Sequence, residues 1–207
     1  MSLGSWSVNV VKDGMPQKVA TAFGELNEMV GAEYTPIAYL GSQLVNGTNH
    51  AVLAEQTIIA GKDTKNIVVV IFRETKEGVT LSNIERVVEG GAGVGGIYLN
   101  PTTDIPADAK KAFDSCFECF VGSKVEPFAL LGTQVTTGVN YIFAAEITPV
   151  AQDPEKSVAL VTVNDMTKAV SFVDILTSKM DVMNLGYAFT WLKNQNTSLG
   201  KPLGEWP

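Results

Sequence analysis

The sequence of 207 residues is poor in the side chains that build covalent or metal-bound frameworks. It contains two cysteines, Cys116 and Cys119, and one histidine, His50. Two cysteines do not provide the disulfide framework of a small secreted domain, and a closed structural zinc site needs about four ligands. Both cysteines are predicted to lie in the middle of a helix, where Cys116 is expected to pack in the core rather than serve redox chemistry. No metal site is expected.

Basic residues are also scarce. The chain has 15 Lys and Arg against 22 Asp and Glu, with a net charge of −7 and a pI near 4.7. Nucleic acids and anionic membrane surfaces require clustered positive charge, so neither is an expected partner. No run approaches the ~18 apolar residues of a membrane span, and the first residues lack the layout of a signal peptide. The chain is therefore expected to be cytoplasmic, or secreted with a leader removed.

The usual catalytic patterns are missing as well. The sequence has no carboxylate pair, nucleophile elbow or phosphate loop, and a histidine-based triad would depend on His50 alone. Residues 91–96 (GAGVGG) fit the dinucleotide pattern G-x-G-x-x-G. That turn must open into a helix, whereas residues 97–101 (IYLNP) follow here, so the stretch is interpreted as a flexible linker. No enzymatic activity and no cofactor are expected.

The chain does contain an internal repeat with an offset of 91 residues (134 − 43). Residues 36–55 (PIAYLGSQLVNGTNHAVLAE) and 127–146 (PFALLGTQVTTGVNYIFAAE) share nine identities in twenty ungapped positions. This self-similarity indicates two tandem copies of one domain, each small but able to bury its own core. The predicted division is 4–89 for the first copy, 90–96 for the linker, 97–178 for the second copy and 179–207 for a C-terminal extension.

Each copy is predicted to contain a short strand, one amphipathic helix and four further strands. The first helix is expected within 16–30 and the second within 106–121, because apolar residues recur there with helical spacing. The buried faces are predicted as Val19, Ala22, Phe23, Leu26, Met29 and Val30, and as Ala109, Ala112, Phe113, Cys116, Phe120 and Val121. The later strands are predicted at 35–45, 49–60, 66–74 and 79–88, and at 127–135, 141–150, 157–164 and 169–176. One helix across a four- to five-stranded antiparallel sheet in each copy gives an α+β fold.

The repeated phrase resembles a known family. Residues 43–47 (QLVNG) fit the pattern Gln-x-Val-x-Gly at a hairpin that follows a helix, which is similar to the cystatins, inhibitors of papain-like cysteine proteases. The second copy keeps Gln134 and Gly138 but has Thr136 where the pattern has Val. The resemblance covers about residues 4–178 and implies two tandem cystatin-like domains.

The resemblance also implies a binding mode, in which a wedge of three backbone segments blocks the protease cleft. The segments are an N-terminal trunk with a glycine, the Gln-x-Val-x-Gly tip and a second hairpin that usually carries Pro-Trp. The second hairpins expected near 77–78 and 165–167 lack Pro-Trp, which removes an aromatic anchor of the kind that often dominates interfaces. The implied protease-binding residues are Gly4, Gln43, Leu44, Val45, Asn46, Gly47, Gln134 and Gly138, with Gly95 and Gly96 as alternative trunk glycines in the second copy.

Two functions stay open at this point. The first copy is the better candidate for a reversible inhibitor of a papain-like cysteine protease, and the alternative is a non-inhibitory cystatin-fold protein that binds another protein, a peptide or a small ligand. A homodimer formed by domain swapping through a hairpin would bury the wedge. Glu55 and Glu146 are expected to face water rather than pair across the sheet, and His50 is interpreted as an ordinary strand residue. Asn46-Gly47-Thr48 and Asn196-Thr197-Ser198 are formal glycosylation sequons.

Overall fold

The computed structural model describes residues 5–12, 14–28, 31–59 and 64–176. The predicted trunk glycine Gly4 and the extension 179–207 lie outside the described residues. The first half contains β1 (Trp6–Val11), α1 (Gln17–Leu26), β2 (Ala32–Leu44), β3 (Thr48–Ile58), β4 (Thr64–Glu74) and β5 (Val79–Glu89). The second half contains β6 (Ile97–Thr102), α2 (Ala107–Phe117), β7 (Ser123–Thr136), β8 (Gly138–Pro149), β9 (Ser157–Asn164) and β10 (Val170–Leu176).

The strands form two antiparallel sheets of five strands each. The orders are β1-β2-β3-β4-β5 and β10-β9-β8-β7-β6, so within each half every strand pairs with its neighbours in sequence. This includes β1 with β2 and β6 with β7, which are separated in sequence by a helix. With one helix in each half, this is an α+β architecture in which the two halves repeat the same order of elements. Neither of these helices is long and apolar enough to cross a membrane.

Both helices begin directly after a proline. Pro16 and Pro106 are the residues before the first helical turn, where a missing N–H group costs no hydrogen bond. The predicted faces are confirmed for seven residues, because Val19, Ala22, Phe23 and Leu26 are buried on α1 and Ala109, Ala112 and Phe113 on α2.

The predictions for the last residues of the two helix faces have mixed outcomes. Met29 and Val30 lie outside the described residues. The prediction for Val121 is wrong, since α2 ends at Phe117 and Val121 is 87% exposed. Phe120 also lies beyond the helix, but its ring contacts Phe117 and Phe172 and so still contributes to the apolar surface. The prediction that both cysteines lie in the middle of a helix is wrong, since Cys116 is in the last turn of α2 and the exposed Cys119 lies beyond its end. Cys116 is half-buried, and burial raises the pKa of its thiol.

The described residues form three hydrophobic cores. One lies between α1 and the outer face of the first sheet, and a second lies between α2 and the outer face of the second sheet. The third is shared, because Leu40 and Leu53 of the first sheet belong to the same cluster as Leu131 and Ala144 of the second. The layers are therefore helix, sheet, sheet and helix. The prediction that each copy buries its own core accounts for the two outer cores but not for the shared one.

The connection between the halves is anchored by hydrogen bonds. The amide of Gly90 donates to the Lys65 carbonyl at 3.0 Å, and the amide of Gly91 donates to the Ile97 carbonyl at 3.0 Å. Ile97 in turn pairs with Gln134, close to the β7–β8 hairpin. That hairpin therefore lies near the Lys65 end of the first sheet, roughly 30 Å along β4 from Glu74 at the other end.

Candidate functional site

Three backbone segments meet at the Glu74 end of the first sheet, and together they are called the first edge. They are the start of β1 (residues 5–6), the β2–β3 hairpin (residues 43–48) and the β4–β5 turn (residues 75–78). Trp6 pairs with Gln43 across β1 and β2, which places the first segment beside the second. A Cβ atom added to Gly47 would lie 2.5 Å from the Glu74 carbonyl oxygen, which places the second segment beside the third.

The tip of the β2–β3 hairpin is a tight turn that presents apolar side chains. Asn46 has φ 43° and Gly47 has φ 114°, both in the left-handed region that Asn and Gly tolerate best. The amide of Val45 donates to the Gly47 carbonyl at 3.0 Å, which closes the turn. Leu44 is 64% exposed and Val45 is 36% exposed, so two aliphatic side chains flank the apex.

Gln43 has a different role from its neighbours in the predicted motif. It is buried, and its Oε1 atom accepts a hydrogen bond from Asn49 Nδ2 at 2.9 Å. Asn49 Oδ1 then accepts a hydrogen bond from Arg73 Nε at 3.2 Å. This row of polar groups crosses β2, β3 and β4 just below the tip, so Gln43 fixes the base of the hairpin rather than presenting a contact surface.

The second half repeats this arrangement. Asn140 Nδ2 donates to Gln134 Oε1 at 3.0 Å, and Asn164 Nδ2 donates to Asn140 Oδ1 at 2.8 Å. Gln134 Nε2 also donates to the Gly95 carbonyl at 2.8 Å, which ties the connecting segment to the β7–β8 hairpin. A Cβ atom on Gly138 would lie 2.5 Å from Asp165 Oδ1, just as one on Gly47 would meet Glu74. The equivalent second edge consists of the connecting segment (residues 94–96), the β7–β8 hairpin (residues 134–138) and the β9–β10 turn (residues 165–169), and it exposes Val94, Val135 and Met166.

His50 lies below the first edge and joins three elements. Tyr39 Oη is 2.9 Å from His50 Nδ1, and His50 Nε2 is 3.2 Å from Glu74 Oε2. Glu74 Oε1 accepts a hydrogen bond from Lys18 Nζ of α1 at 2.6 Å. Tyr39 and His50 are both buried, so this chain of contacts holds the base of the hairpin in place.

Two of the side chains around His50 have shifted pKa values. Burial raises the pKa of the Tyr39 hydroxyl, although a hydrogen bond from Ser42 opposes the shift. The hydrogen bond from Lys18, followed by that from His50, lowers the pKa of the Glu74 carboxyl. The position of His50 in a strand agrees with the sequence interpretation, but its partners depend on the strand register, which the sequence alone does not give.

The expectation that Glu55 and Glu146 face water is wrong. Lys65 Nζ donates to Glu55 Oε1 at 2.7 Å, and Lys156 Nζ donates to Glu146 Oε1 at 2.7 Å. These hydrogen bonds are the main reason that the pKa values of both lysines are raised. The two ion pairs occupy equivalent positions in the repeat, so cross-sheet pairing is part of the shared plan of both halves.

A cavity of about 460 Å³ lies beside the first of these ion pairs. Its walls include Lys12 and Lys65 together with Leu99 and Asn100 of β6. Glu55 also lines it, and the Oε2 atom of Glu55 is buried without a hydrogen-bond partner. The cavity therefore combines residues of both halves and both signs of charge.

The parts of the chain that the structure describes contain no group of three or more His, Cys, Asp or Glu residues that could hold a metal ion. No protein-family model and no curated protein sequence matches the chain.

Proposed function

We propose that the protein is a cystatin-like, reversible inhibitor of papain-like cysteine proteases, and that the first edge enters the protease cleft. The observation that carries the proposal is the convergence of three backbone segments at one end of the first sheet. The order of strand, helix and four-stranded meander in each half supports the related proposal of two tandem cystatin-like domains.

A wedge of this kind would bind by shape and apolar contact, without a covalent bond to the protease. The Asn46-Gly47 turn is closed by a hydrogen bond, and a pre-formed tip loses little conformational entropy on binding. Leu44 and Val45 offer exposed aliphatic surface next to that tip. Gly47 allows the close approach of another backbone, and Gln43 supports the hairpin from below. Gly138 would play the role of Gly47 at the second edge, with Gln134 as the support.

The test is a titration of the protein into papain with a fluorogenic peptide substrate. Leu44→Glu should weaken inhibition by roughly 10- to 100-fold, because a charge replaces an apolar contact at the centre of the interface. Val173→Glu is the matched control, since Val173 of β10 is a similarly exposed aliphatic residue (59%) that lies outside both edges. Circular dichroism of both variants checks that the fold is intact.

The outcomes separate the wedge from other modes of binding. Absence of inhibition by the wild-type protein at micromolar concentration would reject the proposed function for papain-like targets. Equal inhibition by wild type and Leu44→Glu would reject the β2–β3 hairpin as the contact. Gly47→Trp should also abolish inhibition, but its Cβ atom would meet Glu74, so Leu44→Glu is the cleaner variant.

The second candidate function is that of a non-inhibitory binding protein, and the cavity lined by Lys12, Glu55 and Lys65 favours it. A cavity with an unpaired carboxylate oxygen and two lysines suits a small polar ligand that carries both a hydrogen-bond donor and an acidic group. Thermal unfolding is measured with and without free amino acids or inorganic phosphate as probes. A probe that binds in the cavity should raise the unfolding midpoint of the wild-type protein more than that of Lys12→Ala. Identical midpoints with and without each probe would count against this candidate.

A further inference from the structure

The tip of the β2–β3 hairpin, at the first edge, carries an Asn-Gly pair that can react without an enzyme. Asn46-Gly47 is the sole Asn-Gly pair in the sequence. Asn46 is exposed at the tip of the hairpin. Asparagine followed by glycine is the pair in which the backbone amide most readily attacks the preceding side chain, because glycine has no Cβ atom to block the approach.

The geometry of the turn favours both residues at these positions. Asn46 adopts φ 43°, which Asn tolerates better than most residues with a side chain. Gly47 adopts φ 114°, and a Cβ atom there would lie 2.5 Å from the Glu74 carbonyl oxygen. The turn at the first edge therefore requires glycine at position 47 and favours asparagine before it, and this pair is chemically labile.

The reacting groups also have no competing hydrogen bonds among the described residues. Within the described ranges, neither the amide of Gly47 nor the carboxamide of Asn46 takes part in a hydrogen bond. The only backbone bond within the turn joins the Val45 amide to the Gly47 carbonyl and leaves the Gly47 nitrogen available.

We propose that Asn46 is a site of spontaneous deamidation. The backbone nitrogen of Gly47 loses its proton and forms a bond to Asn46 Cγ, while the bond from Cγ to the carboxamide nitrogen breaks and ammonia leaves. The resulting five-membered succinimide takes up water at either of its two carbonyls. The products are aspartate and isoaspartate at position 46, and no oxidant, reductant or enzyme is needed.

The products would change the edge in two ways. Either product places a carboxylate next to the exposed side chains of Leu44 and Val45, on the surface that would contact the protease. Burying that charge without a partner is costly. Isoaspartate also inserts an extra carbon into the backbone, which is incompatible with the tight turn. Resting on the proposed function, this predicts an inhibitor whose active edge decays with age, while the second edge has Thr137 at the equivalent position and does not.

The test follows the modification directly by mass. The folded full-length protein is incubated at mildly alkaline pH in water enriched in ¹⁸O, then digested and mapped by mass spectrometry. The peptide containing Asn46 should take up heavy oxygen and yield two isomeric products, several-fold faster than the peptide containing Asn140. Asn46→Gln should show no comparable uptake in that peptide, because cyclisation through the longer side chain is much slower.

Two results would overturn the proposal. One is heavy-oxygen uptake at position 46 no faster than at Asn140 in the folded protein. The other is uptake at position 46 that occurs only when a denaturant is added, since the folded turn would then prevent the attack.

The link to function has a separate readout. Aliquots from the incubation are titrated into papain, and the inhibited fraction should fall in step with conversion at position 46. Wild-type protein kept for the same time at mildly acidic pH, where the Gly47 amide does not lose its proton, is the control and should keep its inhibition. A protein that never inhibits papain yet deamidates at Asn46 would refute the proposed function and leave the modification site intact. Inhibition that stays constant while Asn46 converts would refute the effect of the modification on the edge.

Discussion

At the residue scale, the first half of the chain is distinguished by the contacts of His50. The equivalent residue in the second half is Tyr141, and Asp165, the equivalent of Glu74, accepts a hydrogen bond from the Val139 amide. The two halves therefore secure equivalent hairpins by different side chains. The sequence shows that His50 and Tyr141 are equivalent, through the offset of 91, but it does not show their contacts. Strand register and helix packing bring Lys18, Tyr39 and Glu74 together around His50.

This network predicts a pH dependence of stability. Because the folded state holds the pKa of Glu74 below its ordinary value, the stabilisation is fully present at neutral pH and is lost as the pH falls below about 4.5 and through the lowered pKa. Glu74→Gln should reduce the steepness of the loss of unfolding free energy in that acidic range, as measured by urea denaturation. Glu77→Gln, in the adjacent exposed turn, is the control. Identical acid profiles for wild type and Glu74→Gln would contradict the prediction.

At the element scale, two glycines explain how the first strand of each half docks. A Cβ atom on Gly41 would clash with the Ser7 carbonyl oxygen of β1, and one on Gly132 would lie 2.6 Å from the Tyr98 carbonyl oxygen of β6. Both glycines lie beside register shifts in the ladder. The repeat marks Gly41 and Gly132 as equivalent in sequence, but the close approach of β1 and β6 that requires glycine is a property of the folded chain.

A pair of alanine substitutions tests this role of glycine. Gly41→Ala should lower the free energy of unfolding by about 1–3 kcal/mol, because the added methyl group forces β1 away from β2. Gly24→Ala should raise it by about 0.5–1 kcal/mol, since Gly24 lies within α1 with open space around it and alanine favours the helix. Chemical denaturation measures both. A loss of stability for Gly24→Ala as large as that for Gly41→Ala would show that the difference between the two sites has been misjudged.

The strand predictions succeed where periodicity and turn residues agree. The predicted segment 157–164 coincides with β9, and 66–74 lies within β4. The strands β3 and β4 are almost continuously buried because α1 covers one face of the sheet and the second sheet covers the other. An uninterrupted apolar run indicates burial on both sides, but it does not say what covers each face.

At the scale of the whole molecule, the shared core couples the two halves. Leu53 and Leu131 are both completely buried in the cluster between the sheets. The first and second edges lie at opposite ends of the molecule, so they are placed to face different partners rather than the same cleft. Dimerisation by hairpin swapping stays a prediction, and light scattering is the measurement for it.

The shared core predicts a single cooperative unfolding transition. Leu53→Ala and Leu131→Ala should each lower the free energy of unfolding by about 2–5 kcal/mol. In differential scanning calorimetry, either substitution should shift one common transition, because each removes packing from both sheets. Leu81→Ala, on the exposed side of β5, is the control and should have little effect. Two transitions, of which each variant moves only one, would show that the halves unfold independently.

The sequence by itself determined the duplication, the helix faces, most strands and the glycine-containing hairpins, because these depend on local periodicity and on the backbone freedom of Asn and Gly. Only the tertiary structure decided that the two sheets pack face to face, that Glu55 and Glu146 pair with lysines, and that His50 joins the hairpin base to a helix. Those features depend on contacts between residues far apart in the chain, and the pattern of any one segment carries no information about its distant neighbours.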